Sequence, residues 1–145
     1  YGPRMRIKDA RQTFLGIWIK NLLQGRPIQV FGDGEQRRDY NFVDDVIDAL
    51  LLSATSNNAI GKAFNLGAPD PLSLLETAKI MCNHIKGAQY ELIPFPKARK
   101  VIDVGDFICD FSAFSNSFGW KPKISFEKGI SKSIDFFKKE LEYYF

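Results

Sequence analysis

The stretch PIQVFGDGEQRRDYNFVDD, Pro27 to Asp45, decides the fold. Ile28 and Val30 alternate with Gln29, which is the period of a half-buried strand. Gly32-Asp33-Gly34 follows, and Gly and Asp tolerate the positive φ of a tight turn. Arg37 and Arg38 then lie on a second extended run, so the turn reads as that of a hairpin. Asp44 or Asp45 is placed to cap a helix whose apolar stripe is Val46, Ile47, Leu50, Leu51 and Ala54. A cationic pair is thereby set close to an aromatic, Phe31. A guanidinium takes phosphate in bidentate fashion and a phenyl ring stacks on a flat base, so the stretch suits a ligand that has both.

Upstream, a helix is expected over about 10–24, with Leu15, Trp18, Ile19, Leu22 and Leu23 at helical spacing, Asp9 as cap and Gly25 as terminator. Before it, Arg4, Arg6, Lys8 and Arg11 make a basic, irregular segment that reads as a solvated loop. Downstream, Ala63 to Leu66 is expected to form a short strand, stopped by Gly67 and Pro69-Asp70-Pro71. Ser73 and Glu76 form a capping box ahead of Leu74, Ala78, Met81 and Ile85, and Gly87 closes that helix. Tyr90 to Ile93 reads as a strand, and Pro94 to Lys100 as a basic loop. A short helix near Ser112 to Phe118 should stop at Gly119, with Pro122 blocking continuation. The last helix starts behind Ser125 and lines up Phe126, Ile130, Ile134, Phe137, Leu141 and Tyr144.

At 145 residues with 45% hydrophobic side chains, the chain is long and apolar enough for one packed core. A net charge of +3 lacks the dense basic face expected of a nucleic-acid binder. Cys82, Cys109 and His84 do not make a zinc spacing, so no metal is expected and the thiols read as buried and free in a reducing, cytoplasmic setting. No apolar run approaches the ~20 residues of a membrane span.

The run GDGEQRRDYNFVDDVIDALL resembles the Gly-Asp-Gly, Arg-Asp-aromatic, Val-x-Asp-Val signature of the extended short-chain dehydrogenase/reductase family. These are NAD-dependent epimerases and dehydratases of nucleotide sugars. Tyr1-Gly2-Pro3-Arg4, Lys62-Ala63-Phe64-Asn65-Leu66-Gly67 and Phe118-Gly119-Trp120-Lys121-Pro122 are similar to further family segments, in the family's order. The resemblance implies an α/β chain corresponding to the C-terminal, substrate-binding part of a Rossmann-type enzyme, with helices, a few short strands and most of the parallel sheet missing. On that reading 1–145 is a nucleotide-sugar-binding portion, and about 40–67 would complete the Rossmann domain of a longer parent. The helix beginning at Asp44 and the strand at 63–66 would then present an apolar face that favours self-association.

The family's chemistry needs a Gly-rich turn opening a helix, to hold the NAD pyrophosphate, and a Tyr with a Lys four residues later. Gly32-Asp33-Gly34 has no third Gly and opens no predicted helix, and no Tyr-x-x-x-Lys occurs in the sequence. No catalytic residue is therefore assigned. NAD is expected of the parent and is not expected to bind this chain well. A Ser-His-Asp site on the lone His84 has no supporting signature.

The resemblance carries roles onto individual residues. Arg38 matches the Arg that contacts the substrate diphosphate; otherwise it is a strand Arg paired with Asp39 or Asp45. Arg37 reads as its solvated neighbour. Phe31 matches an aromatic beside the base, with the Gln29 backbone at the base edge; otherwise Phe31 is plain core. Asn65 matches an Asn near the phosphate and sugar, or is a turn Asn before Gly67. Arg99 resembles a second phosphate contact, although RKVIDVGD departs from the usual Arg-x-Gly-Asp. Tyr1 and Pro3 match a loop near the nicotinamide and sugar. The expected partner is a nucleoside diphosphate sugar. The rival readings are a non-catalytic binding or interaction module and a basic nucleic-acid binder.

Overall fold

A computed structural model describes residues 1–8 and 13–144. The elements in chain order are α1 (Phe14–Leu23), β1 (Ile28–Phe31), β2 (Arg37–Arg38), α2 (Val43–Ala54), β3 (Leu72–Ser73), α3 (Leu74–Asn83), β4 (Tyr90–Ile93), α4 (Lys97–Lys100), α5 (Ser112–Phe118) and α6 (Phe126–Lys139). Single 3-10 turns, Asn57–Ala59 and Leu141–Tyr143, follow α2 and α6.

β1 does form where Ile28 and Val30 alternate with Gln29, and both aliphatic side chains are fully buried. Its partner is not β2. β1 pairs in parallel with β4, Ile28 opposite Tyr90 and Phe31 opposite Ile93. β2 pairs antiparallel with β3, Arg37 opposite Ser73 and Arg38 opposite Leu72. The expected hairpin is therefore a connection between two separate sheets. Gly32 and Gly34 do adopt positive φ, 69° and 75°. At Gly34 a Cβ would also lie 2.7 Å from Val30 Cγ1, so the turn is packed against its own strand.

The main core lies where α1, α3 and α6 close over β1. Leu15, Trp18, Ile19 and Leu22 meet Ile28, Val30, Ala78, Met81, Ile130, Ile134 and Phe137. The Ser73–Glu76 capping box is present in full: Ser73 Oγ accepts from the Glu76 N–H and Glu76 Oε2 accepts from the Ser73 N–H. Ser125 caps α6 through its side chain, which accepts from the Lys128 N–H. Gly129 of α6 sits against Tyr1 and Phe42, and a Cβ there would lie 2.7 Å from the Phe42 ring. That close approach brings α6 onto the N-terminal aromatics. A second cluster joins Ala49, Phe114 and Trp120 with Phe64, Leu66, Phe111 and Phe118. The two clusters account for most of the phenylalanines; in the second, Phe64 packs edge-to-face on Phe114 and Phe118, and Phe114 edge-to-face on Trp120.

Several sequence expectations are corrected. α2 starts after Phe42, so neither Asp44 nor Asp45 is its cap. Asp45 is buried instead, and its carboxylate accepts from the Lys123 and Ile124 N–H groups, both at 3.0 Å. It thereby fixes the turn that launches α6. Residues 63–66 form no strand, because a ladder needs a neighbouring strand and none lies alongside among the described residues. Their alternation survives: Phe64 and Leu66 pack on the second core while Ala63 and Asn65 are exposed. The basic loop contains a short helix, α4, started behind Pro96. Helix α1 begins after Thr13, and the proposed cap Asp9 lies outside the described residues. Cys82 and Cys109 are free but half-buried rather than fully buried.

Among the described residues, no helix is long and apolar enough to cross a membrane, and no group of three or more His, Cys, Asp and Glu side chains could hold a metal.

Candidate functional site

A cleft of about 280 Å³ opens between α1, the C-terminal end of β1, β2 and the α4 segment. The topology explains its place. β1 and β4 run in parallel, so their C-terminal ends, Phe31 and Ile93, emerge side by side and turn into two different loops. Crevices form where such ends diverge. One loop leads to Arg38, the other through Phe95 to Arg99.

Four of the residues singled out from sequence meet in this cleft: Gln29, Phe31, Arg38 and Arg99. Phe31 is half-buried against Phe95, with ring centroids 5.5 Å apart and planes tilted by 57°. The Gln29 carbonyl accepts the indole N–H of Trp18 at 3.2 Å, and its side-chain amide donates to Glu91 Oε1 at 3.0 Å. Arg99 sits on α4 and is exposed.

Arg38 occupies the inner wall, with 18% of its side chain exposed. It pairs with neither Asp39 nor Asp45. Its Nη1 donates to the carbonyls of Arg37 (2.8 Å) and Gly105, and its Nη2 donates to Gln36 Oε1 at 3.4 Å and lies 3.8 Å from Asp103 Oδ1. Asp39 turns the other way and accepts from the Cys109 and Ala68 N–H groups. Arg37 is exposed, as expected of a solvated neighbour, though its guanidinium donates to Pro71 O at 2.7 Å.

The remaining candidates lie elsewhere. Asn65 is exposed and outside the cleft. Tyr1 packs among Phe42, Phe126 and Tyr40, its hydroxyl donating to Phe126 O at 3.1 Å. Burial first, then the negative charge of Asp45 and the neighbouring Tyr40, push its phenol well above the usual tyrosine range. Neither Tyr1 nor Pro3 lines the cleft. Arg4 lies over the Phe136 ring at 5.5 Å and is exposed, which agrees with a solvated basic segment rather than a site.

The lining residues that the sequence reading does not single out as candidates include Trp18, Phe95 and Asp103. Trp18 reads as core from its helical spacing, and it is 4% exposed, yet it also forms a wall of the cleft. Phe95 lies between two prolines with no periodicity to mark it. Asp103 falls in the run that departs from the family pattern, and that departure was the available signal. Chemically, the cleft combines aromatic surfaces with two guanidinium groups and one carboxylate, a set suited to a flat, anionic ligand.

Residues 1–67 match the NAD dependent epimerase/dehydratase family. The chain is 31% identical over 99% of its length to UDP-glucuronic acid decarboxylase 1 of Xenopus tropicalis, covering 32% of that protein. It is 31% identical over 87% of its length to dTDP-glucose 4,6-dehydratase of Haemophilus influenzae, covering 40% of it. Among solved structures, the UDP-glucose 4-epimerase of Thermotoga maritima, crystallised with UDP-glucose, superimposes with a TM-score of 0.76 at 31% identity over 97% of this chain and 44% of that one. An epimerase from Methanothermobacter thermautotrophicus shares the fold with a TM-score of 0.89 at 21% identity, over 99% of this chain and 42% of that one. The chain thus spans about a third to two-fifths of the length of the curated relatives it matches. Its α/β fold is that of part of a Rossmann-type epimerase or dehydratase. By sequence over residues 1–67 the chain is similar to the NAD dependent epimerase/dehydratase family, and along nearly its whole length it resembles, in sequence and in fold, part of such enzymes.

Proposed function

We propose that this chain is the nucleotide-sugar-binding portion of an NAD-dependent epimerase or dehydratase, and that a nucleoside diphosphate sugar binds in the cleft between α1, β1 and α4. The observation that carries the reading is the convergence of Gln29, Phe31 and Arg38, close together in sequence, with the far-removed Arg99 on one concave surface that also includes Trp18 and Phe95. Arg38 is assigned to the diphosphate and Arg99 to a second phosphate contact. Phe31 flanks the base, with the β1 edge at Gln29 beside it. Asn65 is assigned no role in this cleft.

The described residues do not fit a dinucleotide. Gly32-Asp33-Gly34 leads into β2 rather than into a helix; the N-terminus of α3 does abut the turn, but its first N–H groups are taken by Gln36 O, Gly34 O and the Ser73 side chain, and the parallel sheet has only two strands. NAD, which in such enzymes accepts and returns a hydride, belongs in this reading to the rest of the parent. Residues about 40–67 would complete its sheet domain, and the exposed outer face of α2 supports that division. Taken alone, the chain is expected to bind without catalysing.

Two charge-assisted contacts at ~1.5–3 kcal/mol each and one base stack at ~1–3 kcal/mol are offset by several kcal/mol of association cost. A Kd of roughly millimolar follows. Calorimetric titration of the chain with UDP-glucose and with dTDP-glucose tests this. Saturable binding of either, weakened about tenfold or more by R38A, is the expected result. A chain that takes up neither sugar, or an R38A variant that binds as well as the parent, would overturn it.

A further inference from the structure

The cleft contains a competitor for its own principal cation. Asp103 lies 3.8 Å from Arg38 Nη2, and Gln36 Nε2 donates to the other Asp103 oxygen at 2.6 Å, so the carboxylate is steered toward the guanidinium. Gly105, two residues on, presents its carbonyl to Arg38 Nη1. Beyond that, the Arg37 N–H donates to Asp106 Oδ1 at 2.8 Å and the Phe107 N–H donates to Arg37 O at 3.0 Å. Segment 101–107 is thus fastened to β2 by polar contacts. Its aliphatic side chains Val101, Ile102 and Val104 are all exposed and contribute little to its hold. The sequence is also unusual at this point. With Gly105-Asp106 matched to the Gly-Asp of Arg-x-Gly-Asp, a carboxylate, Asp103, stands where that pattern has a cation.

We propose that Asp103 determines which anions the cleft accepts: its carboxylate competes with a ligand phosphate for the Arg38 guanidinium, and a diphosphate enters only by displacing it. The proposal rests on, and deepens, the reading of the cleft as a nucleotide-sugar site. A guanidinium offers one planar fork, and a carboxylate and a phosphate oxygen pair compete for the same donors. Asp103 therefore acts through Arg38, as a positioning residue that lowers affinity for weak anions and leaves those ligands that gain further contacts from Phe31, Phe95 and Arg99.

The test is a double-mutant cycle on the full chain: the parent, D103N, R38A and R38A/D103N, each titrated with inorganic pyrophosphate and with UDP. Asn keeps the shape and an acceptor for Gln36 but removes the charge. D103N is expected to tighten pyrophosphate binding about tenfold, which corresponds to about 1.4 kcal/mol, and to have no effect once Arg38 is Ala. D103S serves as a second neutral variant should D103N fold poorly. No gain in either neutral variant overturns the proposal. An equal gain with and without Arg38 overturns it too, since that is the signature of general charge alone. If D103N gains pyrophosphate but UDP binds no more tightly than pyrophosphate, the competition stands and the nucleotide-site reading falls. If UDP binds more tightly than pyrophosphate and D103N changes nothing, the reading stands and the competition falls.

Discussion

At the scale of single residues, Tyr40 and Asp45 show how short polar contacts organise an aromatic core. Tyr40 is buried, its hydroxyl 3.0 Å from Thr77 Oγ1, and burial pushes its phenol up to about 12. An unfolded tyrosine titrates near pH ~10. Between those values the folded chain keeps a proton that the unfolded chain has released, so stability falls as pH rises. The contribution is complete below about pH 10 and is lost as pH rises through about 12. Melting temperature followed with pH should drop across that window, and Y40F should shallow the drop. Ionisation of Tyr40 in the folded chain at the ordinary tyrosine value of about 10 would contradict this. The Asp45 carboxylate accepts from two backbone N–H groups, those of Lys123 and Ile124. D45A should leave both without it and cost about 2 kcal/mol or more, measured by urea denaturation. Its residue type marked it as important, but the cap role inferred for it was wrong, since its partners lie on a distant turn. The same limit applies to Arg38: its position in the cleft was legible from the sequence pattern, whereas its pairing with Asp103 was not.

At the scale of elements, helices were more legible than strand pairing. The Ser73–Glu76 box and the Ser125 cap act within one turn, so local sequence contains the whole interaction. Which strand pairs with which is not local. The Gly32–Gly34 turn has hairpin chemistry, yet β1 prefers β4 because that register buries Ile28 and Val30 under α1 and α3. Phe64 and Leu66 keep the alternation of a strand without a ladder to join. Helix α2 shows the same incompleteness. Asp45 and Ala49 are its buried residues, while Leu50 and Leu51 are 61% and 60% exposed and Ile47 is 47% exposed. An apolar stripe of this kind favours association with a like surface. Sedimentation velocity should show concentration-dependent self-association that L51E reduces. A parent chain that stays monomeric at the highest concentrations would contradict the role given to this face.

At the scale of the whole molecule, the chain combines a closed core with an open side. α1, α3 and α6 bury β1 well enough to fix the cleft, while Ile47, Leu50 and Leu51 of α2, and Ala63 and Asn65 beyond it, face outward. This matches a chain that spans about a third to two-fifths of its relatives' length. In the proposed function the cleft beside Arg38 binds a nucleoside diphosphate sugar. The two tryptophans supply a direct test, because each indole N–H has its own acceptor: Trp18 donates to Gln29 O in the cleft and Trp120 donates to Asp45 O far from it. Titration of the labelled chain with UDP-glucose, followed by NMR at the two indole resonances, is the measurement that bears on the claim most directly. The Trp18 resonance should shift saturably, the Trp120 resonance should stay in place, and R38A should abolish the shift. A stationary Trp18 resonance at millimolar sugar nucleotide, or a shift that survives R38A, would contradict the claim.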